Sequence, residues 1–192
     1  MGNLAFIYGV MGSSKSAQAL ITRYNYIQKG INVVLCKPEI DNRGDSEEYR
    51  TVSSRIGIEA KCLVFPKEEN LINLFIKNFD YYKQNIMIVD EAQFCTKEQI
   101  DQLKVLSKSI QVLCYGLKTN FKSELFEGSK RLIEIADRLE EISYICRCGS
   151  KAIINARFIK GKPTISGSEI LIGGDESYEA LCYECWKKLL ND

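Results

Sequence analysis

The sequence predicts an α/β fold, with a parallel sheet covered by helices on both faces and a small second domain after it. Short, wholly apolar runs alternate with segments of helical periodicity over about the first 145 residues. Strands of this kind are buried on both sides in a parallel sheet. Near residue 145 the pattern changes, and two close pairs of cysteines follow. We therefore predict two domains, residues 1–145 and residues 146–192.

The first elements follow from local patterns. Residues 3–8 are apolar and predict a strand, and residues 15–29 have the periodicity of a helix. Gly30 predicts the end of this helix, because glycine readily adopts the left-handed conformation found after helix C-termini. Residues 31–36 are rich in β-branched side chains and predict the next strand. The polar residues 37–55 show no periodicity and predict no regular element.

The alternation then continues to about residue 115. Thr96 and Gln99 form a capping-box pattern, which predicts a helix that reaches about Lys108. Beyond residue 145, the stretch FIKGKPTI predicts a hairpin with Gly161 and Lys162 at its turn. The remaining predicted elements are strands at 61–65, 86–90 and 110–115 and a helix at 69–79.

Composition excludes several classes of function. The 192 residues carry a formal net charge of +1, which gives no basic surface for nucleic acid or an anionic membrane. No apolar run approaches the roughly 20 residues of a membrane span. We therefore expect a cytoplasmic protein that binds neither nucleic acid nor membranes. Histidine is absent, so a general base must be a carboxylate or, less often, Lys, Tyr or Cys.

The stretch GVMGSSKS between the first strand and the first helix resembles a phosphate-binding loop, G-x-x-x-x-G-K-[ST]. Its backbone N–H groups and the helix N-terminus would hold phosphates, Lys15 would reach the outer phosphates, and Ser16 would ligate Mg²⁺. Ser14 replaces the second glycine, at a cost of about 1 kcal/mol if that position needs positive φ. The alternative is an ordinary strand-to-helix turn capped by a serine. The predicted loop consists of Gly9, Val10, Met11, Gly12, Ser13, Ser14, Lys15 and Ser16.

Two carboxylates follow the apolar run IMIV. Asp90 and Glu91 stand at the end of a predicted strand, and carboxyl ends of parallel strands lie beside such a loop. Asp90 fits the magnesium-side carboxylate of a nucleoside triphosphatase, which leaves Glu91 available for another task. Together with the loop, this pair predicts an ATP–Mg²⁺ site.

A family resemblance extends over nearly the whole chain. The chain resembles the type II thymidine kinase family, which includes the cytosolic vertebrate enzyme and its bacterial relatives. Six motifs carry the resemblance, and they follow one another along the chain in the family's order. The most specific lie in the fifth and sixth of them. The motifs are GVMGSSKS, IDNR at 40–43, SSRIG at 53–57, VDEAQF at 89–94, CYGLKTNFKSELF at 114–126 and IGGDESYEALCYEC at 172–185.

This resemblance implies a RecA-like P-loop kinase that transfers the γ-phosphoryl of ATP to the 5′-hydroxyl of thymidine. It implies that Glu91 is the base for the hydroxyl proton and that Arg43 meets the charge developing on the transferred group. Asp41 would help to hold magnesium, and Gln93 would lie in the ATP–Mg²⁺ region. The family also suggests a homotetramer and feedback inhibition by dTTP.

The resemblance further implies a nucleoside pocket and a lid. The segment from about Arg157 to Tyr178 would form a lasso loop that closes over the base, with backbone groups that read the thymine edge. Asn155 stands where the vertebrate member has Thr. The matching pocket positions are Met11, Phe94, Leu117, Phe121, Phe126, Asn155, Leu171, Gly173 and Tyr178.

The eight cysteines form two groups. Cys146 and Cys148 with Cys182 and Cys185 make two close pairs, which predict a Cys₄ structural zinc site, with disulfides as the rival. A domain of about 47 residues has too little core to fold alone, so zinc would stabilise it. The other four lie in apolar runs and predict buried thiols: Cys36, Cys62, Cys95 and Cys114.

Three other functions remain open from the residues themselves. The chain could be a kinase for another (deoxy)nucleoside or nucleotide. It could be a nucleic-acid-stimulated ATPase whose Cys₄ element binds DNA or RNA, although its near-neutral charge argues against this. Ser14 also makes a non-catalytic nucleotide-binding protein conceivable.

Overall fold

The computed structural model describes residues 2–39, 49–167 and 176–191. The larger of its two sheets has seven strands. The strand order is β3-β4-β2-β5-β6-β1-β7, and every neighbouring pair is parallel except β3 with β4. This is the predicted parallel sheet with one antiparallel edge strand. The strands are β1 Leu4–Tyr8, β2 Asn32–Pro38, β3 Tyr49–Ser53, β4 Glu59–Phe65, β5 Asn85–Val89, β6 Gln111–Gly116 and β7 Arg138–Glu141.

Helices cover both faces of this sheet, as predicted. Alternation along β1 sends Ala5 and Ile7 to the face covered by α1, where they cluster with Ala19 and Leu20. The side chains of Leu4 and Phe6 point to the opposite face, where they cluster with side chains of α2, α3 and α4. The helices are α1 Lys15–Gln28, α2 Leu71–Lys77, α3 Lys97–Leu106 and α4 Glu127–Ile135, with a 3₁₀ turn at Ala92–Phe94.

A second, three-stranded antiparallel sheet follows in the order β10-β8-β9. Its strands are β8 Ile154–Ile159, β9 Lys162–Thr164 and β10 Glu176–Leu181, and α5 Tyr183–Asn191 follows them. The predicted hairpin is present, but its turn is Lys160-Gly161, one residue earlier than predicted, because Ile159 pairs with Lys162. Both turn residues have positive φ, at 49° and 75°, as a tight hairpin turn requires.

Some elements differ from expectation. The stretch 37–55 was expected to be irregular, but its end forms the edge strand β3, because Tyr49–Ser53 pairs with β4. The α3 helix begins with the predicted capping box at Thr96 but ends at Leu106, two residues before Lys108. Strand β7 and helix α4 had no sequence prediction. Among the described residues, no helix is long and apolar enough to cross a membrane.

Candidate active site

The phosphate-binding loop connects β1 to α1. Ser14 has φ 62° and ψ 26°, so it adopts the left-handed conformation that the missing glycine would otherwise supply. Gly12 also has positive φ, at 85°. A Cβ at Gly9 would lie only 2.4 Å from the Ser13 hydroxyl oxygen and 2.8 Å from a main-chain oxygen of residue 142. The loop therefore closes tightly on Gly9, and the substitution at Ser14 is accommodated without losing the loop conformation.

Lys15 folds back over this loop. Its Nζ donates to the Val10 carbonyl oxygen at 2.8 Å, and the Ser13 hydroxyl oxygen lies at 3.5 Å. Burial lowers the pKa of Lys15, while the nearby charges of Glu91 and Asp90 oppose that shift. The ammonium group is therefore held at the mouth of the loop, where outer phosphates would meet it.

Asp90 lies directly beyond the buried strand β5 and is 4% exposed. Burial, followed by the negative charge of Glu91, raises the pKa of Asp90 to about 6, and a hydrogen bond with the Ser16 side chain opposes this shift. A carboxylate beside a hydroxyl is a set of hard oxygen ligands, which suits Mg²⁺. Ser16 and Asp90 therefore fit a magnesium ion beside the loop.

Glu91 takes a left-handed conformation, with φ 53° and ψ 36°, immediately before the 3₁₀ turn. Its Oε2 accepts a hydrogen bond from Gln93 Nε2 at 2.5 Å. Gln93 Oε1 in turn accepts from the Leu117 N–H at 3.0 Å. Sequence reasoning placed Gln93 in the ATP–Mg²⁺ region, and the structure shows that its side chain holds Glu91. Glu91 lines the cavity next to the loop.

One cavity of about 360 Å³ is lined by Lys15, Ser16 and Glu91, whereas the buried Asp90 does not line it. Its lining combines phosphate-loop residues, the carboxylate of Glu91 and side chains predicted for the nucleoside. Gly9, Val10 and Ser13 are buried in the loop itself. The predicted residues that line the cavity are Met11, Gly12, Ser14, Lys15, Ser16, Glu91, Gln93, Phe94 and Leu117.

The predicted nucleoside residues fall into separate environments. Phe94 packs edge-to-face on Phe126, with ring centroids 5.4 Å apart. Phe121 is 2% exposed, and the Arg157 guanidinium lies 4.1 Å from its ring centroid. Tyr178 lines a neighbouring cavity of about 270 Å³. Phe94 thus reaches the main cavity, while Phe121 and Phe126 are packed in the layer behind it.

Asn155 lies at the contact between the two sheets. Its Oδ1 accepts from the Met11 N–H at 2.7 Å, and its Nδ2 donates to the Thr119 carbonyl oxygen at 2.9 Å. Asn155 is 3% exposed. Both ends of this amide are therefore occupied by the protein.

Four predicted residues lie outside the described part of the chain: Asp41, Arg43, Leu171 and Gly173.

Arg55 is a cavity residue to which the sequence gave no role. It lines both the main cavity and the one at Tyr178, and its Nη1 lies 3.5 Å from where a Gly12 Cβ would stand. Its charge lowers the pKa of Lys15. Arg55 belongs to the motif SSRIG, but the missed strand β3, which ends two residues earlier, is what brings it to the loop. The other cavity residues that the sequence did not predict are Ala17, Ser53, Ser54 and Ile56.

The four predicted cysteines come together. Their sulfur atoms all lie within 4.8 Å of one another, and Cys148 Sγ is 3.6 Å from Cys182 Sγ. A tetrahedral zinc with bonds of about 2.3 Å would separate its sulfurs by about 3.8 Å. Hydrogen bonds from the Ser150 N–H and hydroxyl lower the pKa of Cys148 to about 6. The cluster therefore fits a tetrahedral metal ion. The four other cysteines are buried thiols, as predicted.

Comparison with known proteins identifies the family. The family model described as thymidine kinase matches residues 2–186. A thymidine kinase from Legionella pneumophila (strain Paris) is 41% identical, with 98% of this chain and 90% of the relative aligned. The thymidine kinase of Enterobacteria phage T4 is 41% identical over 98% of this chain and 97% of its own. That of Shewanella oneidensis is 39% identical over the full length of both chains. This chain therefore belongs to the thymidine kinase family.

Proposed function

We propose that this protein is an ATP-dependent thymidine kinase, which transfers the γ-phosphoryl group of ATP to the 5′-hydroxyl of thymidine to give dTMP and ADP. The main supporting observation is the single cavity in which the Glu91 carboxylate faces Lys15 and the phosphate loop. A phosphoryl acceptor and donor can meet there. The names of the relatives indicate thymidine as the acceptor.

In this proposal the loop binds the ATP phosphates. Lys15 leaves the Val10 carbonyl oxygen and neutralises the outer phosphates, at which negative charge is concentrated. Ser16 and Asp90 would hold Mg²⁺, which would supply further neutralisation of the transferred group. Burial disfavours the ionised form of Asp90 and raises its pKa, so a Mg²⁺ ion beside it would further stabilise that form.

Glu91 receives the proton of the 5′-hydroxyl. The hydroxyl oxygen attacks the γ-phosphorus, the bond from that phosphorus to the bridging oxygen breaks, and ADP leaves with the electron pair. Gln93 donates to Glu91 Oε2, so Oε1 stays available for the hydroxyl proton. With no histidine in the chain, a carboxylate suits this role.

The nucleoside is proposed to lie on the side of the cavity lined by Met11, Phe94 and Leu117. Residues 157–178 would close over its base, with Tyr178, Leu171 and Gly173 on that lid. Arg43 is proposed to meet the charge that develops on the transferred group, and Asp41 is proposed to help hold magnesium. We also propose the division into a kinase domain, residues 1–145, and a lid domain, residues 146–192.

Zinc is proposed at the four clustered cysteines, where it would hold the ends of the lid domain together. A homotetramer and inhibition by dTTP are proposed from the family resemblance. A cytoplasmic location would supply ATP and keep the thiols reduced.

The test is a transfer assay with γ-labelled ATP and each of the four deoxynucleosides, with and without DNA. We expect labelled dTMP, no labelled product from deoxyadenosine, deoxyguanosine or deoxycytidine, and no change when DNA is added. Transfer to another nucleoside in preference to thymidine would contradict the proposed acceptor. ATP hydrolysis stimulated by DNA, without any nucleoside product, would indicate the alternative ATPase instead.

A further inference from the structure

The backbone of residues 117–119, here called the bridge segment, lies between the two halves of the active site. At one end, Leu117 N–H is bound by Gln93, whose Nε2 holds Glu91. At the other end, the Thr119 carbonyl oxygen is bound by Asn155. Asn155 also accepts from the Met11 N–H of the phosphate loop. Two side-chain amides and one short backbone segment therefore connect the carboxylate of Glu91 to the phosphate loop.

The bridge segment is itself fixed to the larger sheet. The Ser129 hydroxyl donates to the Leu117 carbonyl oxygen at 2.5 Å. Directly before the segment, the Gly116 carbonyl oxygen accepts from the Gly9 N–H of the phosphate loop at 3.3 Å. A Cβ at Gly116 would lie 2.6 Å from Gln93 Oε1. The absence of a side chain at Gly116 thus allows the Gln93 amide to approach this closely.

The orientation of both amides is dictated by their backbone partners. A carboxamide has one donor end and one acceptor end. Rotating Asn155 by half a turn would direct its NH₂ at the Met11 N–H and its oxygen at the Thr119 oxygen. Gln93 and Asn155 are 2% and 3% exposed, so water does not compete for these bonds. Each of these hydrogen bonds contributes about 1 kcal/mol to the net free energy of unfolding. Leaving one of the buried backbone groups without its partner would cost about 1–3 kcal/mol.

We propose that Asn155 and Gln93 are positioning residues that together set the distance between Glu91 and the phosphate loop through the bridge segment. The inference rests on the proposed function, because this distance matters only if Glu91 deprotonates a group that attacks a phosphate held by the loop. Asn155 was expected to shape the nucleoside pocket. Its two hydrogen bonds are to the phosphate loop and the bridge segment, and the positioning role is argued from them.

Asn155 also connects the two sheets. It lies on β8 of the three-stranded sheet, 144 residues after its partner in the phosphate loop. Displacement of that sheet would therefore move the Met11 amide directly. A misplacement of about 1 Å at reacting atoms can cost on the order of 10²-fold in rate. A defect at Asn155 should for this reason appear in turnover, and not only in stability.

The rival explanation is that Asn155 only satisfies buried backbone groups. Asn85 provides a matched control for it. Asn85 is 5% exposed, its side chain also binds the backbone on both sides, and it lies at the opposite end of β5 from Asp90. Asn85→Asp and Asn155→Asp replace the same group by the same carboxylate, and both remove donors from a buried network.

The experiment measures kcat, KM for ATP and for thymidine, and Tm for the wild type, Asn155→Asp, Asn155→Ser and Asn85→Asp. We expect both Asn155 variants to lower kcat/KM about 10- to 100-fold, with Asn155→Ser the milder because its hydroxyl can still donate or accept. Asn85→Asp should lower Tm comparably while its kcat/KM stays within about twofold. Asn155 variants that lose Tm but retain near-normal kcat/KM would overturn the positioning role.

A second readout uses the Glu91→Gln background. If Asn155 acts by placing Glu91, the Asn155→Asp effect on kcat should shrink to a few-fold once the base is gone, because groups that act as a unit are not additive. Full additivity of the two effects would contradict the proposal. Should Asn155→Asp fail to fold, the same cycle with Asn155→Ser decides.

The two proposals can fail separately. If the wild type transfers no phosphate to thymidine, the proposed function fails. Calorimetry of Mg·ATP binding then still tests the connection to the phosphate loop. Asn155→Asp should weaken that binding at least about fivefold relative to Asn85→Asp, and equal binding would overturn the role of Asn155.

Discussion

The seven-stranded sheet region and the cysteine-bearing C-terminal region are stabilised in different ways. Both faces of the large sheet carry apolar clusters, in which the central strand β5 is buried at every residue. Among the described residues, the C-terminal cluster has seven buried apolar members, of which two are the cysteines Cys146 and Cys182 and one, Val10, belongs to the phosphate loop. Its sheet has three strands. The first region can therefore be stabilised by burial alone, whereas the second has little apolar surface to bury.

The two regions are expected to contribute differently to the active site. The larger region would supply the groups that do chemistry, since Asp90 and Glu91 directly follow β5 and Lys15 begins α1 after the loop that follows β1. The C-terminal region is proposed to supply position, through Asn155 and the lid. Damage to the chemical groups of the first should abolish turnover in a folded protein, and damage to the cysteine cluster of the second should first appear as local unfolding.

The largest effect is expected from Cys182→Ser. Removing one of four thiolates should abolish zinc binding, and structural zinc contributes about 10–16 kcal/mol in small metal-dependent domains. Trp186, the single tryptophan, packs on the C-terminal cluster and reports its unfolding by fluorescence. We expect the fluorescence transition in urea to move to much lower concentration. Most of the circular dichroism should persist, because the large sheet retains its own core.

Cys114→Ser is the control for this variant, since Cys114 is a fully buried thiol on β6 of the large sheet. Cys114→Ser should move the unfolding transition measured by circular dichroism to lower urea concentration and leave the zinc content unchanged. Elemental analysis should find about one zinc per chain in the wild type. Wild-type protein purified without chelators that contains no zinc, and whose four clustered thiols all titrate freely, would contradict the prediction.

The next effect is catalytic. Glu91→Gln keeps the shape of the side chain and removes the proton acceptor, so kcat should fall by about 10²- to 10⁴-fold. Binding of ATP and thymidine should change little, because the amide still fills the same space. Steady-state kinetics and direct binding measurements test this, with the exposed Glu98→Gln on α3 as control. Near-normal turnover of Glu91→Gln would show that another group accepts the proton.

The sequence predicted the two regions unequally. Apolar runs and a capping box identified most of the large sheet and α3, because these elements follow from local periodicity. Strand β3 was missed, since an edge strand such as Tyr49–Ser53 has no wholly apolar run and exists through its pairing with β4. Arg55, which follows that strand, was missed with it.

Contacts across the chain were also hidden from sequence reasoning. Ser14, Lys15, Asp90 and the four clustered cysteines were identified from spacing, because their motifs are local. The bonds of Asn155 join residues 144 positions apart, and no local pattern reveals such pairs. The role expected for Asn155 rested on the family position alone, which says where a residue stands but not which partners it holds.

A smaller effect concerns stability and pH within the large region. Burial raises the pKa of Asp90 from an ordinary value near 3.8 to about 6. Between these values the folded state binds more protons than the unfolded state, so the metal-free protein loses stability as pH rises from about 4 to 6. The loss amounts to about 2–3 kcal/mol. Asp90→Asn should remove it and stabilise the metal-free protein at pH 7, although activity and its magnesium dependence should be impaired.

Urea unfolding of metal-free protein at several pH values measures this. Asp137→Asn is a control of opposite sign, because the Leu4 N–H and Lys104 lower the pKa of Asp137. Its contribution is present above the ordinary pKa and is lost as pH falls through the lowered one. If Asp90→Asn and the wild type lose stability in parallel between pH 4 and 6, the pKa of Asp90 is not raised.

The smallest effect is expected from Ser14→Gly, at the departure from the usual loop pattern. Ser14 has φ 62°, and its side chain makes no capping hydrogen bond. Glycine should therefore relieve about 1–2 kcal/mol of strain, partly offset by about 0.5–1 kcal/mol of extra freedom in the unfolded chain. The net gain, about 0.5–1 kcal/mol, corresponds to a rise in Tm of about 1–4 °C for a chain of this size. Apparent ATP affinity should be unchanged or modestly improved.

Ser123→Gly, at φ 66°, is the matched control and should show a similar gain in Tm. A fall in Tm for Ser14→Gly alone would mean that the Ser14 side chain stabilises the loop. ATP binding by the glycine variant but not by the wild type would mean that the serine had disabled the loop, and the proposed kinase activity would fail with it.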